Sequence, residues 1–141
     1  MNSEEQTLWK AIKEFDLDDS SASMTFTERL CRENSWSLTF GLRAVFEYKR
    51  FMFLVCASGH PCTPSDEVDQ VWHLHLLYTE SYWDHFCASV LKRRVHHGPT
   101  KGGGEERSKF NDYYLRTLES YKEFFKEVPP AIIWPDVESR M

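Results

Sequence analysis

The sequence predicts an all-α fold: a compact irregular bundle of about five helices, closed by an extended, proline-rich C-terminal tail. Three observations predict it. Apolar residues recur at helical spacing through most of the chain, helix-start signatures precede those stretches, and no pair of alternating segments reads as paired strands. The first helix is expected from about Glu4 to Phe15, with Ser3 and Gln6 as a capping box and Leu8, Trp9, Ile12 and Phe15 on one stripe. Asp16 to Ser23 is a polar loop. Thr25 with Glu28 opens a short second helix with Phe26 and Leu30 inward. Ser37 opens a longer helix to about Ala57, its apolar positions running Phe40, Ala44, Tyr48, Phe51 and Val55. From Phe51 to Cys56 it is apolar on all sides, which marks it as the central helix.

Ser58 to Thr63 reads as a turn. Pro64, Ser65, Asp66 and Glu67 then supply a small polar cap followed by acids in a first turn, opening a helix expected to reach about Lys92 before Gly98 and Pro99. Gly102 to Gly104 forms a turn before a last helix from about Glu105 to Glu127. Phe110, Tyr113, Tyr114, Leu118, Tyr121 and Phe125 face inward on it. Pro129, Pro130 and Pro135 force the tail Val128 to Pro135 to be extended, with Ile132, Ile133 and Trp134 pinning it to the helices.

A chain of 141 residues, 41% hydrophobic, 15% aromatic and 28% charged, has the composition of one globular domain spanning residues 1–141. Its net charge of -5 argues against nucleic-acid and anionic-membrane partners. The basic run Lys92, Arg93, Arg94 reads as a cationic helix C-terminus, with an anion site as the alternative. The N-terminus lacks a basic, then apolar leader, and the most apolar stretch, Phe51 to Ala57, is too short to span a bilayer. A cytoplasmic location is expected, with Cys31, Cys56, Cys62 and Cys87 as thiols.

The segment Asp69 to His75 (DQVWHLH) holds the densest chemistry. Asp69 and His73 are four apart and share a helix face, the spacing of a helical two-ligand metal site and equally of a carboxylate-oriented histidine base. His75 lies two residues on, about 200° around the helix. It belongs to a different face, beside Tyr78, Thr79 and Tyr82. A metal needs more ligands, and His96 and His97 are the next candidates. On one straight helix, residues 73 and 97 would stand about 36 Å apart. Only a break and a turn back, near Phe86 to Val90, would let them meet. The bland alternative is a pair of packed histidines hydrogen-bonded among aromatics.

Cys56, His60 and Cys62 form a second, weaker metal candidate, with thiolate and imidazole donors that suit zinc but no partner CxxC; His85 and Cys87 could contribute. A buried Cys56 ending an apolar helix is the simpler reading. Cys87 with His96 or His97 as a nucleophile and base has nothing local to support it. The glycines at 102–104 follow no strand, so they are not a nucleotide-binding fingerprint. The acids Glu105 and Glu106 argue against an anion at the following helix start.

Three stretches, Val68 to Tyr82 (VDQVWHLHLLYTESY), His96 to Gly103 and Lys109 to Pro135, resemble the glycine-rich domain-containing protein-like family, the WHxH core of Trp72, His73 and His75 being the most specific part. The resemblance covers the chain from about Thr25 onward, dividing it into an N-terminal helix and loop, 1–24, and a family-like core, 25–135. It implies a compact helical domain, often attached to other modules, and marks Asp69, Trp72, His73, His75, Tyr82, His96, His97 and Pro99 without implying a reaction. The long glycine-rich tract is missing here, and Cys56, His60 and Cys62 lie outside the motif.

No complete catalytic set can be assembled from spacing, and the aromatic wealth suits a domain that packs against a partner protein or a fused module. The sequence therefore favours a protein-interaction module with a histidine-rich structural or ligand site. The alternatives are a domain that binds a divalent metal such as zinc or iron, or works as a metal-dependent enzyme, through Asp69 and His73 with His96 or His97, and a small-molecule-binding domain.

Overall fold

The computed structural model describes residues 1–98 and 104–137. Among these every regular element is a helix: α1 (Ser3–Glu14), α2 (Phe26–Asn34), α3 (Leu38–Ala57), α4 (Asp66–Leu77), a π-helix (Glu80–Leu91) and α5 (Gly104–Phe125). Pro99, Gly102 and Gly103 lie outside the described residues, as do the side chains of Glu105 and Glu106.

The helix starts are chemical. Asn2, not Ser3, caps α1: its side chain accepts from Glu5 N–H while the Glu5 carboxylate accepts from Asn2 N–H at 2.9 Å. The box thus sits one residue earlier than Ser3 and Gln6, and its acid adds a favourable charge at the positive helix end. Thr25 and Glu28 close the same box on α2, and Ser37 and Ser65 cap α3 and α4 through their hydroxyls.

Helix α3 is the hub, packing against α1, α2, α4 and α5. Phe51, Met52, Phe53 and Leu54 are all fully buried, so the helix is enclosed on every side there. Fully buried tyrosines (Tyr48, Tyr82, Tyr114 and Tyr121) join phenylalanines in one core. Tyr114 and Tyr121 face inward on α5 together with the small polar Thr117 and Ser120, whereas Leu118 is only partly buried.

The long helix expected from Pro64 to Lys92 does not form as one piece. Tyr78 leaves the helical region (φ -88°, ψ 70°), and the chain resumes as a π-helix. With more than four residues per turn, the π winding buries Tyr82, Phe86, Cys87 and Leu91 on one stripe. Lys92, in the left-handed region at φ 57°, closes it, and residues 93–98 run back along α4 without regular structure. The tail is irregular, with a turn in which Trp134 N–H donates to Pro130 O at 2.7 Å. Ile133 and Trp134 are buried beneath it, but Ile132 points outward at 57% exposure and pins nothing. No helix of the described residues is long and apolar enough to cross a membrane.

Candidate metal centre

The break at Tyr78 and the return after Lys92 bring together residues that a straight helix would hold far apart. Asp69 and His73 lie one turn apart on α4. His97 comes back to them, its Nε2 2.6 Å from Asp69 Oδ1. His73 Nε2 stands 3.6 Å from Asp69 Oδ2, and the two imidazole rings face each other with centroids 4.5 Å apart. One ligand atom from each of the three side chains lies within 4.8 Å of the others. The turn back comes just beyond the expected Phe86 to Val90 stretch, after a π-helix that continues to Leu91.

Two neighbours hold this arrangement. The Trp72 ring packs on His97 with centroids 4.2 Å apart. Trp72 Nε1–H donates to Tyr82 Oη at 2.9 Å, and Tyr82 O–H donates in turn to Val95 O at 2.6 Å. Tyr82, fully buried, thereby fastens the returning strand of chain two residues before His97. The side chains of His73, Asp69 and His97 are 52%, 27% and 20% exposed, so the cluster opens to solvent on its His73 side. The hydrogen bond to Asp69 raises the His97 pKa, an effect partly offset by burial. A cleft of about 300 Å³ adjoins, lined by Asp69, His97, Trp72, His96 and Phe110 among others.

His96 does not join the three. Its ring packs on Trp83, centroids 5.1 Å apart, because consecutive residues on an extended segment point opposite ways. His75 is also elsewhere: fully buried, its Nδ1 2.7 Å from Tyr48 Oη and its Nε2 3.1 Å from Ser81 Oγ. The arrangement that satisfies all three groups has Tyr48 O–H donating to Nδ1 and Nε2–H donating to Ser81. His75 is a core histidine, and its two partners carry no motif signal that spacing could detect.

Cys62 Sγ stands 3.9 Å from His60 Nδ1, but Cys56 does not complete a three-ligand cluster with them. His60 Nδ1–H donates to Pro61 O at 2.9 Å, which leaves Nε2 to accept from Ser120 O–H at 2.6 Å. Thr63 N–H donates to Thr117 Oγ1 at 2.9 Å, so this loop is tied twice to α5. Burial pushes the Cys56 and Cys62 thiols up, so both are neutral thiols in the metal-free protein. Thr117 and Ser120 were legible only as small polar residues interrupting an aromatic stripe. All four cysteines are free, and His85 pairs with Glu80 at 3.5 Å.

Fold and site together define an all-helical domain with a carboxylate and two imidazoles gathered at one edge of its fourth helix. The family model described as UCP032817-like matches residues 13–122, and the chain belongs to that family. This corrects the resemblance to the glycine-rich domain-containing protein-like family: the match is to a different family, and it ends before the VPPAIIWP tail that contributed to the likeness. No curated protein and no solved structure matches the chain.

Proposed function

We propose that this domain binds a divalent metal ion of the zinc or iron type through Asp69, His73 and His97. The observation that supports it is the convergence of these three donors from two separated segments, their ligand atoms within 4.8 Å of one another. Donors about 2.0–2.2 Å from a tetrahedral zinc lie roughly 3.3 Å apart, so the Asp69–His97 pair would separate slightly, its hydrogen bond replaced by the metal as Nε2 releases its proton to solvent, and the Asp69–His73 pair would close slightly. One carboxylate with two imidazoles leaves coordination positions for water or a small ligand, the donor set of reactive rather than purely structural sites. The adjoining cleft gives such a ligand a place, and Trp72, stacked on the His97 ring, and Tyr82, tying down Val95, fix where His97 sits.

Full burial and pairing of both His73 and His75 would support the interaction-module reading. His75 meets that condition and His73, half exposed at the cluster, does not. The two histidines therefore divide between a structural and a ligand role.

The test is a titration of metal-free protein with zinc, and with cobalt as a spectroscopic reporter. We expect one equivalent to bind, and His97→Ala or Asp69→Ala to weaken binding by tenfold or more. His96→Ala is expected to bind as tightly as the unaltered chain. Absence of stoichiometric uptake, or equal affinity in the His97 and His96 variants, would overturn the reading.

A further inference from the structure

A second cavity, of about 440 Å³, lies between the end of α3, the loop after it and the segment beyond the π-helix. It is lined by Cys56, His60, Cys62, Arg93 and His96, with Trp72 and Val95 as apolar wall, and no aspartate or glutamate is among its lining residues. The basic run divides its labour. Lys92 closes the π-helix in a left-handed conformation, and the Arg94 guanidinium sits on Trp83, 4.5 Å from the ring centroid. Arg93 lines the cavity, with no ion-pair partner among the described residues. The two cysteines bring no compensating negative charge, since burial keeps them as neutral thiols.

We infer that this cavity is a binding site for a small organic anion, carboxylate or phosphate, whose charged group meets the Arg93 guanidinium while its body lies against Trp72 and Val95. Guanidinium presents a planar fork of donors that matches either oxyanion. The His60 ring, fixed by Pro61 and Ser120, forms part of the wall. The volume exceeds what a bare oxyanion fills and falls within the range of small-molecule sites. The cavity is distinct from the Asp69–His97 cleft, although Cys62, Trp72 and His96 border both.

The experiment measures four probes on metal-free protein by calorimetry: acetate, benzoate, inorganic phosphate and phenyl phosphate. Benzoate or phenyl phosphate should bind saturably and more tightly than its counterpart without a ring, and which of the two prevails identifies the oxyanion. Arg93→Gln, at an exposed position, should weaken that binding about tenfold or more, the scale of losing a charge-assisted contact. Arg94→Gln should leave it unchanged. Bound probe should also slow alkylation of Cys62 by iodoacetamide. No saturable binding of any probe, or equal binding by the Arg93→Gln and unaltered proteins, overturns the inference. Because no metal is present, a failed zinc titration leaves this result intact.

Discussion

Burial among aromatic rings holds the His75 pKa down to about 3. In the unfolded chain the same imidazole titrates near 6.5, so between those values the unfolded state binds a proton that the folded state refuses. Stability from this residue is complete above pH 6.5 and falls as the pH drops toward 3, by up to about 1.4 kcal/mol per unit. His97 acts in the opposite sense. Its pKa is raised by Asp69, so its contribution is complete below about 6.5 and is lost as pH rises through the folded value. Comparing the protein with His75→Gln cancels His97 and isolates His75. The variant should lose roughly 1–3 kcal/mol at pH 7, because Tyr48 and Ser81 are left imperfectly paired. Its stability should also fall less steeply between pH 6.5 and 4. Parallel slopes in urea melts across that range would sink the assignment. Sequence spacing separated His75 from the Asp69 and His73 face correctly, because that separation is a property of helix geometry alone. It could not tell which histidine was buried, since Tyr48 and Ser81 reach His75 from another helix and from beyond a helix break.

Elements whose boundaries are written in local chemistry were legible. The Thr25–Glu28 box and the Ser37 and Ser65 caps each satisfy backbone donors within a few residues, and the helices begin where those side chains permit. The break at Tyr78 was not legible, because neither glycine nor proline marks it. It is imposed from outside, where Ser81 must reach His75 and Tyr82 must reach Trp72 and Val95. The same break brings His97 to Asp69, so the missed element boundary and the unassembled ligand set have one cause. Gly41 is a further case of tertiary demand overriding propensity. A glycine inside α3 costs helix stability, yet a Cβ there would meet Cys31 Sγ at 2.2 Å, so α2 and α3 approach too closely for alanine. Gly41→Ala should therefore destabilise the fold by about 1–3 kcal/mol despite alanine's better propensity. Cys31→Ala, which removes the obstructing sulfur, should recover most of that loss in the double variant. A stabilised Gly41→Ala single variant in thermal melts would disprove the close-packing account.

At the scale of the whole molecule, every fully buried tyrosine spends its hydroxyl on joining segments distant in sequence. Tyr48 holds His75, Tyr82 holds Val95, Tyr114 donates to Pro135 O at 2.6 Å and Tyr121 to Glu47 Oε1 at 2.7 Å. Glu47 is a buried carboxylate that also accepts from Trp134 Nε1 at 3.1 Å, and Arg50 reaches both Tyr121 and Glu127. The tail is therefore part of the core rather than a strap across it. Its Trp134 ring contacts Phe51, which contacts Trp72, which contacts His97, so aromatic packing runs unbroken from the tail to the candidate metal centre. Trp134→Ala removes a nearly buried indole and one of the donors on Glu47, and should cost about 3–5 kcal/mol, a large share of a small domain's total stability. Ile132→Ala, two residues earlier but largely exposed, should change stability by no more than about 0.5 kcal/mol. Urea denaturation of the two variants separates a tail that belongs to the core from one that merely covers it. Equal and small losses would place the tail outside the cooperative unit, and with it the role of Glu47 as the buried acceptor that joins α3, α5 and the tail.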